Sequence, residues 1–447
     1  MFWEADELAA ALGAAGPGFA ISGISIDTRS LKPGDLFVAL AGARDGHDFV
    51  AEALGKGAAG ALVSRPMPGP VLLVEDTLAA LARLGSAARA RSRAGIVAVT
   101  GSVGKTTAKE MLRTCLRAFG AVHAAEASFN NHIGVPLTLA RMPRGTDFGV
   151  FEIGMNHPGE ILPLAALVRP DVAVITCVDR AHLGLMGSEA AIAAEKASIF
   201  TSLAATGAAV MPENSKFLPL LRAKVPAGAR QIVFGTGDAG ARLLKMKASA
   251  TGSDIAAGIG GVTVKFHLAA PGQHMAMNAL AVLAAVQALG LDVAEAAAAL
   301  EGFVPFVGRG ARREISLPGV GGVLLLDESY NASSASMRAA LAVLALQPGR
   351  HVAALGDMLE LGDAARAEHL SLLPEVLAGA DLVFTCGPWS KALFDSLPRS
   401  KQGAHADDAA SLAPLVKAAL RAGDTLLVKG SYGSRMRDVL SHLESPA

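Results

Sequence analysis

The chain has 447 residues, 51% hydrophobic and 18% charged, and its 40 basic and 40 acidic residues leave no formal net charge. Such a composition excludes a disordered protein, and the balanced charge gives no electrostatic footing for nucleic acid or an anionic membrane. At roughly 100–200 residues per domain, two to four domains are expected.

The opening stretch MFWEADELAAALG carries acids early and no basic run, so it is not read as a signal peptide. Residues 1–93 form a first unit. Short apolar runs (LFVAL, GALVS, VLLVE) alternate with Gly/Pro turns, and the helical stretch TLAALARLGSAARARSR leads out with a basic end that suits a helix C-terminus. A second unit spans 94–310. It begins with the strand-like GIVAVT and a glycine loop. TTAKEMLRTCLRAF follows, with Met111, Leu112, Cys115, Leu116 and Phe119 at helical spacing. The runs FGVFEIG, VAVITCV, GAAVMP and QIVFG then alternate with helical stretches, which indicates a largely parallel α/β sheet.

Residues 242–268 read as a β-rich insertion with glycine turns. No Asp, Glu, Lys or Arg lies between Lys265 and Asp292, but Pro271, Gly272, Gln273, His274, Asn278 and Gln287 interrupt that stretch. Its apolar part is shorter than the ~20 residues that cross a membrane, so a buried helix is predicted. A third unit, 311–447, repeats strand then helix: VLLLD, HVAALG, LVFTCG and TLLVKG each precede a helical or polar turn. That is a Rossmann-like pattern without a G-x-G-x-x-G fingerprint. Cys115, Cys177 and Cys386 lie far apart with no C-x-x-C, so no disulfide framework or zinc site is read and a reducing compartment fits.

AVTGSVGKTTAKE stands between a predicted strand and a predicted helix. A phosphate-binding loop usually reads G-x-x-x-x-G-K-[ST]. Here Val99 holds the first glycine position, while Gly101 and Gly104 bracket Ser102 and Val103 and let the backbone bend. Backbone N–H groups and the helix N-terminus then face a phosphate. Lys105 suits the β and γ phosphates of ATP, and Thr106, followed by Thr107, offers a hydroxyl to Mg²⁺.

Other polar residues gather after strand-like runs. Glu152 closes FGVFE, where a carboxylate is either paired or bound to a metal; beside a phosphate loop the metal role is favoured. His182 follows VAVITCV at the end of a strand where α/β sheets bind ligands, although a lone histidine there serves structure as readily. Lys196, in AAEKASIF, sits among apolar residues, where an ammonium is costly unless paired or modified. Asn130 and Asn131 in FNNHIGVPLTL either shape a turn or contact a polar substrate. Asn278 in GQHMAMNAL either caps a helix or meets adenine. In the third unit DESYNASSASM, GDMLELG and VKGSYGSRM each follow a strand, as the loops of an α/β site do.

In this order the stretches resemble the Mur ligase family over nearly the whole chain. SIDTRSLKPGDLFVALAGARDGHDFV is similar to the family's UDP-binding N-terminal domain and TGSVGKTTAKEM to its ATP loop, normally TGxxGKT. FNNHIGVPLTL, FEIGMNHPGEI and AHLGLMGS are similar to its central motifs, and LLLDESYNASSASM, ALGDMLELG and VKGSYGSRM to its C-terminal domain. The resemblance implies an α/β protein of three domains. These are a small α/β N-terminal UDP-binding domain (1–93), a central P-loop mononucleotide-binding α/β domain with a β-rich insertion (94–310), and a C-terminal Rossmann-like α/β domain (311–447).

It implies an ATP-dependent ligase using Mg²⁺. ATP phosphorylates the carboxylate of a UDP-N-acetylmuramoyl-tripeptide, and the amine of D-alanyl-D-alanine attacks the acyl phosphate, giving a pentapeptide precursor of peptidoglycan. Carried over residue by residue, Lys105, Glu152, His182 and Lys196 are catalytic. Thr106 and Glu152 hold one Mg²⁺; His182 and Lys196, the latter as a carbamate, hold the second. Residues 101–107, Asn278, Arg309, Glu328, Tyr330 and Asn331 bind ATP. Ser25, Asp27, Thr28, Arg29, Asn130, Asn131, Lys429 and Ser431 bind the other substrates. Met275 and Glu328 depart from the family's usual Asn and Asp. Three other readings compete. The related ligase that adds the third peptide residue carries a D-N-P-R signature, absent here. A folylpolyglutamate synthase lacks the UDP-binding domain, and a non-ligase phosphate-loop ATPase needs no such C-terminal domain. A cytoplasmic monomer without membrane insertion is expected.

Overall fold

The computed structural model describes residues 2–13, 18–126 and 128–444. They build three sheets, one after another along the chain. The first is parallel throughout: β1 (Gly23–Ser25), β2 (Asp35–Val38), β3 (Gly60–Val63) and β4 (Val71–Leu73) lie side by side in that order. The helix Thr77–Arg91 then leads out, its start fixed by Asp76, whose Oδ1 accepts from the N–H groups of Leu78 (2.7 Å) and Ala79 (3.0 Å). This helix packs on Gly134–Ala140 of the next unit. Gly85 makes the close approach possible: a Cβ there would stand 3.0 Å from the Pro136 carbonyl oxygen. Two further bonds fix the docking. Trp3 Nε1 donates to the Ala140 carbonyl (3.1 Å) and Arg141 Nε to that of Ile24 (2.7 Å).

The central sheet has nine strands: β5 (Gly95–Thr100), β6 (Val122–Ala124), β7 (Phe148–Glu152), β8 (Val172–Ile175), β9 (Ala208–Pro212), β10 (Arg230–Gly235), β11 (Ala241–Ala248), β12 (Ser253–Ile259) and β13 (Val262–Leu268). Their order is β13-β12-β11-β10-β9-β8-β5-β7-β6. Strands β5 to β10 pair in parallel, and β5, β8 and β9 are buried almost throughout, which is why they read as unbroken apolar runs. The predicted insertion is the antiparallel extension β11-β12-β13, where burial alternates along β13 as on a one-sided sheet. The charge-free stretch is the buried helix Gln273–Ala288, packed against Lys105–Leu116. Among the described residues no helix is long and apolar enough to cross a membrane.

The third sheet runs β14-β15-β19-β16-β17-β18, from β14 (Ala311–Leu317), β15 (Gly321–Glu328), β16 (His351–Gly356), β17 (Leu382–Cys386), β18 (Gln402–Ala406) and β19 (Thr425–Lys429). Only β14 is antiparallel. The sequence reading did not contain β14 or β18. Both are edge strands, one carrying the charged run Arg312–Glu314 with exposure at alternate positions and one only half-buried, so neither presents an apolar run.

Candidate active site

β5 ends at Thr100, the helix begins at Lys105, and the four residues between them are the phosphate loop. Gly104 takes a left-handed conformation (φ 85°), and a Cβ on it would stand 2.5 Å from Asn278 Oδ1; one on Gly101 would stand 1.9 Å from Thr176 Oγ1. Only glycine fits either place. The loop is held from behind by β8 and the turn after it. Ser102 N–H donates to the Cys177 carbonyl (3.0 Å), and the Ser102 hydroxyl donates to the Asp179 carbonyl (2.8 Å). Thr176 Oγ1 donates to the Val103 carbonyl (2.5 Å), and Val103 N–H meets Cys177 Sγ (3.3 Å).

Lys105 is half-buried and its Nζ donates to the Gly101 carbonyl (2.8 Å). Burial lowers its pKa, against the pull of Glu152. Lys196 is 1% exposed, and no ion pair neutralises it among the described residues. Burial, and then the charge of Lys105, bring its pKa down to about 7. The free amine is therefore plentiful at neutral pH, unlike that of an ordinary lysine.

Glu152 closes β7 and is 1% exposed. Asn130 Nδ2 donates to its Oε1 (2.7 Å), whereas its Oε2 is buried without a hydrogen-bond partner among the described residues. An orphaned carboxylate oxygen is expensive unless a cation completes it. Thr106, in the first turn after Lys105, adds a hydroxyl, 3.4 Å from that of Ser128. Hard oxygen donors of this kind fit Mg²⁺. The second predicted pair is arranged differently. His182, itself left-handed (φ 64°), hydrogen-bonds through Nδ1 to Glu360 of the third domain. Among the described residues no group of three His, Cys, Asp or Glu side chains converges into a metal cluster, so His182 and Glu152 do not form one by themselves.

The two asparagines separate in role. Asn130 serves Glu152, and Asn131 Oδ1 accepts from the N–H groups of Ile133 (3.2 Å) and Gly134 (2.9 Å), which shapes the start of the next helix. Asn278 lies within the helix Gln273–Ala288, not at its start, so it does not cap; its amide covers Gly104 of the loop. Arg309 reaches Ser128 Oγ (3.4 Å) and lies 4.2 Å from the Tyr330 ring centroid. Around this contact is a cavity of about 540 Å³ bordered by Thr106, Ser128, Phe303, Phe306, Arg309 and Tyr330.

Beneath Tyr330, buried Asp327 accepts from Gly308 N–H (2.9 Å) and from the Ser329 hydroxyl (2.7 Å). Lys429, fully buried with its pKa lowered by that burial, donates to the Asn331 carbonyl (3.0 Å) and lies 3.4 Å from Glu328. The Ser431 hydroxyl accepts from Leu359 N–H (2.9 Å). Lys429 and Ser431 therefore brace the strand ends that carry Glu328 and Asn331. The first-domain residues form a group apart. Asp27 grips Arg29 (2.5 Å), whose hydrogen bonds bring the Asp27 carboxyl down to about 2. The Ser25 hydroxyl donates to the Asp27 carbonyl (3.0 Å), and Lys56 Nζ to that of Thr28 (3.1 Å). Among the described residues no hydrogen bond links this group to the phosphate loop.

Sequence reasoning missed Ser128, Phe303 and Phe306, which stand in stretches without a motif. It also missed the partner roles of His274 and Glu360. His274 lies in the quoted GQHM stretch; it is half-buried, desolvation lowers its pKa, and it feels the charges of Glu328 and Lys429.

Comparison with known proteins bears on the chain as a whole. Three family models match in order: the Mur ligase family catalytic domain at residues 20–89, the Mur ligase middle domain at 99–286 and the Mur ligase glutamate ligase domain at 312–432. The UDP-N-acetylmuramoyl-tripeptide–D-alanyl-D-alanine ligase of Escherichia coli is 36% identical over 440 residues, 96% of this chain and 95% of that protein. The crystal structure of MurF from Acinetobacter baumannii superimposes with a TM-score of 0.88 at 29% identity, covering 99% of this chain and 98% of that one. MurF from Thermotoga maritima, solved with ADP, gives 0.80 at 28% identity, covering 94% and 97%. By motif order, architecture and full-length similarity, the chain belongs to the Mur ligase family.

Proposed function

We infer that this protein is an ATP-dependent ligase joining D-alanyl-D-alanine to UDP-N-acetylmuramoyl-tripeptide. The observation that carries the reading is the wall behind the phosphate loop, where half-buried Lys105 is close enough to act on the charge of buried Lys196, and where a Glu152 oxygen is buried with no hydrogen-bond partner among the described residues. A site that only held nucleotide as a switch has no need of a second, buried lysine.

The reaction needs two anions, a carboxylate and a triphosphate, to meet. Lys105 and the loop N–H groups offset that repulsion and favour the transferring phosphoryl group. Mg²⁺, when bound, supplies charge neutralisation between the phosphate and carboxylate oxygens. Glu152, oriented by Asn130, and Thr106 would hold it. His182 and Lys196 would serve a second ion. The neutral Lys196 amine can add CO₂, forming an N–C bond and releasing a proton; the resulting carbamate anion faces the Lys105 charge instead of repelling it. The substrate carboxylate oxygen attacks the γ-phosphorus and ADP leaves. The acceptor amine then attacks the acyl carbon, phosphate leaves and the amine loses a proton. Arg309, Tyr330 and Asn278 border the nucleotide's place, and the Ser25–Arg29 group would take the UDP end. With this reading go the domain divisions 1–93, 94–310 and 311–447 and a cytoplasmic monomer.

The test is a substrate panel with ATP and Mg²⁺. Phosphate release should require both UDP-N-acetylmuramoyl-tripeptide and D-alanyl-D-alanine. Equal release without the dipeptide would overturn the assignment.

A further inference from the structure

We propose that Glu360 is a positioning residue for His182: a carboxylate from the C-terminal domain selects which ring nitrogen of a central-domain histidine is left to bind a ligand. The proposal rests on the reading of His182 as a metal ligand given above. A neutral imidazole has one N–H and one lone pair. With Nδ1 bonded to the Glu360 carboxylate, the lone pair belongs to Nε2, which has no hydrogen-bond partner among the described residues. Metal-binding histidines commonly hand their other N–H to a carboxylate, which fixes the ring and raises its basicity. Here that carboxylate comes from another domain.

The contact is built rather than incidental. His182 and Glu360 both take the left-handed conformation at φ 64°, uncommon for residues other than glycine. Their loops are joined by a main-chain bond from Gly184 N–H to the Glu360 carbonyl (2.9 Å). The approach is so close that a Cβ on Gly184 would stand 2.7 Å from Gly362 N. A second pair sets the register: Arg180 reaches Glu368 (2.5 Å) across the same boundary. Each end of that pair is anchored in its own domain, Arg180 by Glu189 (2.8 Å) and buried Glu368 by the Ser334 hydroxyl (2.5 Å). Glu360 itself is half-exposed, and pairs so placed add little stability. Orientation of the ring is what remains for it to do.

Mn²⁺, used as a paramagnetic probe with ADP on the full chain, tests this. Electron paramagnetic resonance should count two ions per wild-type chain. Glu360→Ala should weaken one of them about 10–100-fold and lower kcat by a similar factor, with KM for D-alanyl-D-alanine within about twofold. Glu360→Gln, which keeps an acceptor, should recover most of both. Alanine and glutamine share the backbone conformation of the glutamate, so its cost cancels, and matched thermal melts check folding. Arg180→Ala should move Mn²⁺ affinity less than about threefold, because the His182–Glu360 bond persists. Wild-type Mn²⁺ binding in Glu360→Ala would overturn the proposal. So would tighter binding, which would make Glu360 a mask for the histidine, and so would an equal loss in Arg180→Ala. A single ion in the wild type would instead overturn the reading of His182, and the proposal with it.

Discussion

Asn130 illustrates how one amide sets the state of a neighbouring group. By holding Glu152 Oε1 at 2.7 Å it leaves Oε2 free in a buried place. Asn130→Ala should release that carboxylate to rotate, and the Mg²⁺ concentration needed for half-maximal phosphate release should rise about tenfold. An unchanged Mg²⁺ dependence would confine Asn130 to shaping its turn. At this scale the sequence was legible where chemistry depends on local order. The loop glycines, Lys105 and Thr106 stand in one unbroken motif, and Glu152 and Lys196 announce themselves as charges in apolar runs. It was illegible where a residue matters through a distant partner. Ser128 meets Arg309 across 181 positions, and His182 meets Glu360 across 178. No spacing rule links such pairs.

Elements followed the same logic. Central parallel strands are covered on both faces and so announce themselves as apolar runs; the edge strands β14 and β18 do not, because half of each faces water. The edge strand β6 gives a testable case. His123 on it bonds through Nε2 to the Thr138 carbonyl (2.7 Å), tying the strand to the helix Gly134–Ala140. Burial holds its pKa below the ordinary histidine value of 6.5. Between that lowered value and 6.5 the unfolded chain binds more protons than the folded one. Stability therefore rises with pH through this window and is lost as pH falls through it. The melting temperature should drop from pH 7 to pH 5, and His123→Gln, which keeps a donor for Thr138, should flatten part of that slope. Parallel slopes would show that His123 takes no share of it.

Across the whole molecule, the first domain is docked on the second through packed helices at Gly85 and the bonds of Trp3 and Arg141, whereas the third meets the second through loops around the site, by the Gly184–Glu360 main-chain bond and side-chain pairs. Motion should therefore belong mainly to the third domain. Small-angle scattering should give a smaller radius of gyration with ADP, Mg²⁺ and UDP-N-acetylmuramoyl-tripeptide than without; superimposable curves would argue against closure.

The pair of lysines at the phosphate loop has a cost in the fold. The charge of Lys105 lowers the affinity of buried Lys196 for a proton, which is the same as saying that it makes a charge on Lys196 less welcome in the fold. Lys196→Met should then melt at a higher temperature than the natural chain at pH 7 while losing ligation, a trade of activity for robustness. A melting temperature at or below the natural one would count against that. If Lys196 serves the reaction as proposed, breeding this protein for heat resistance alone would erase its chemistry early, because a residue that burdens the fold is one that the proposed chemistry uses.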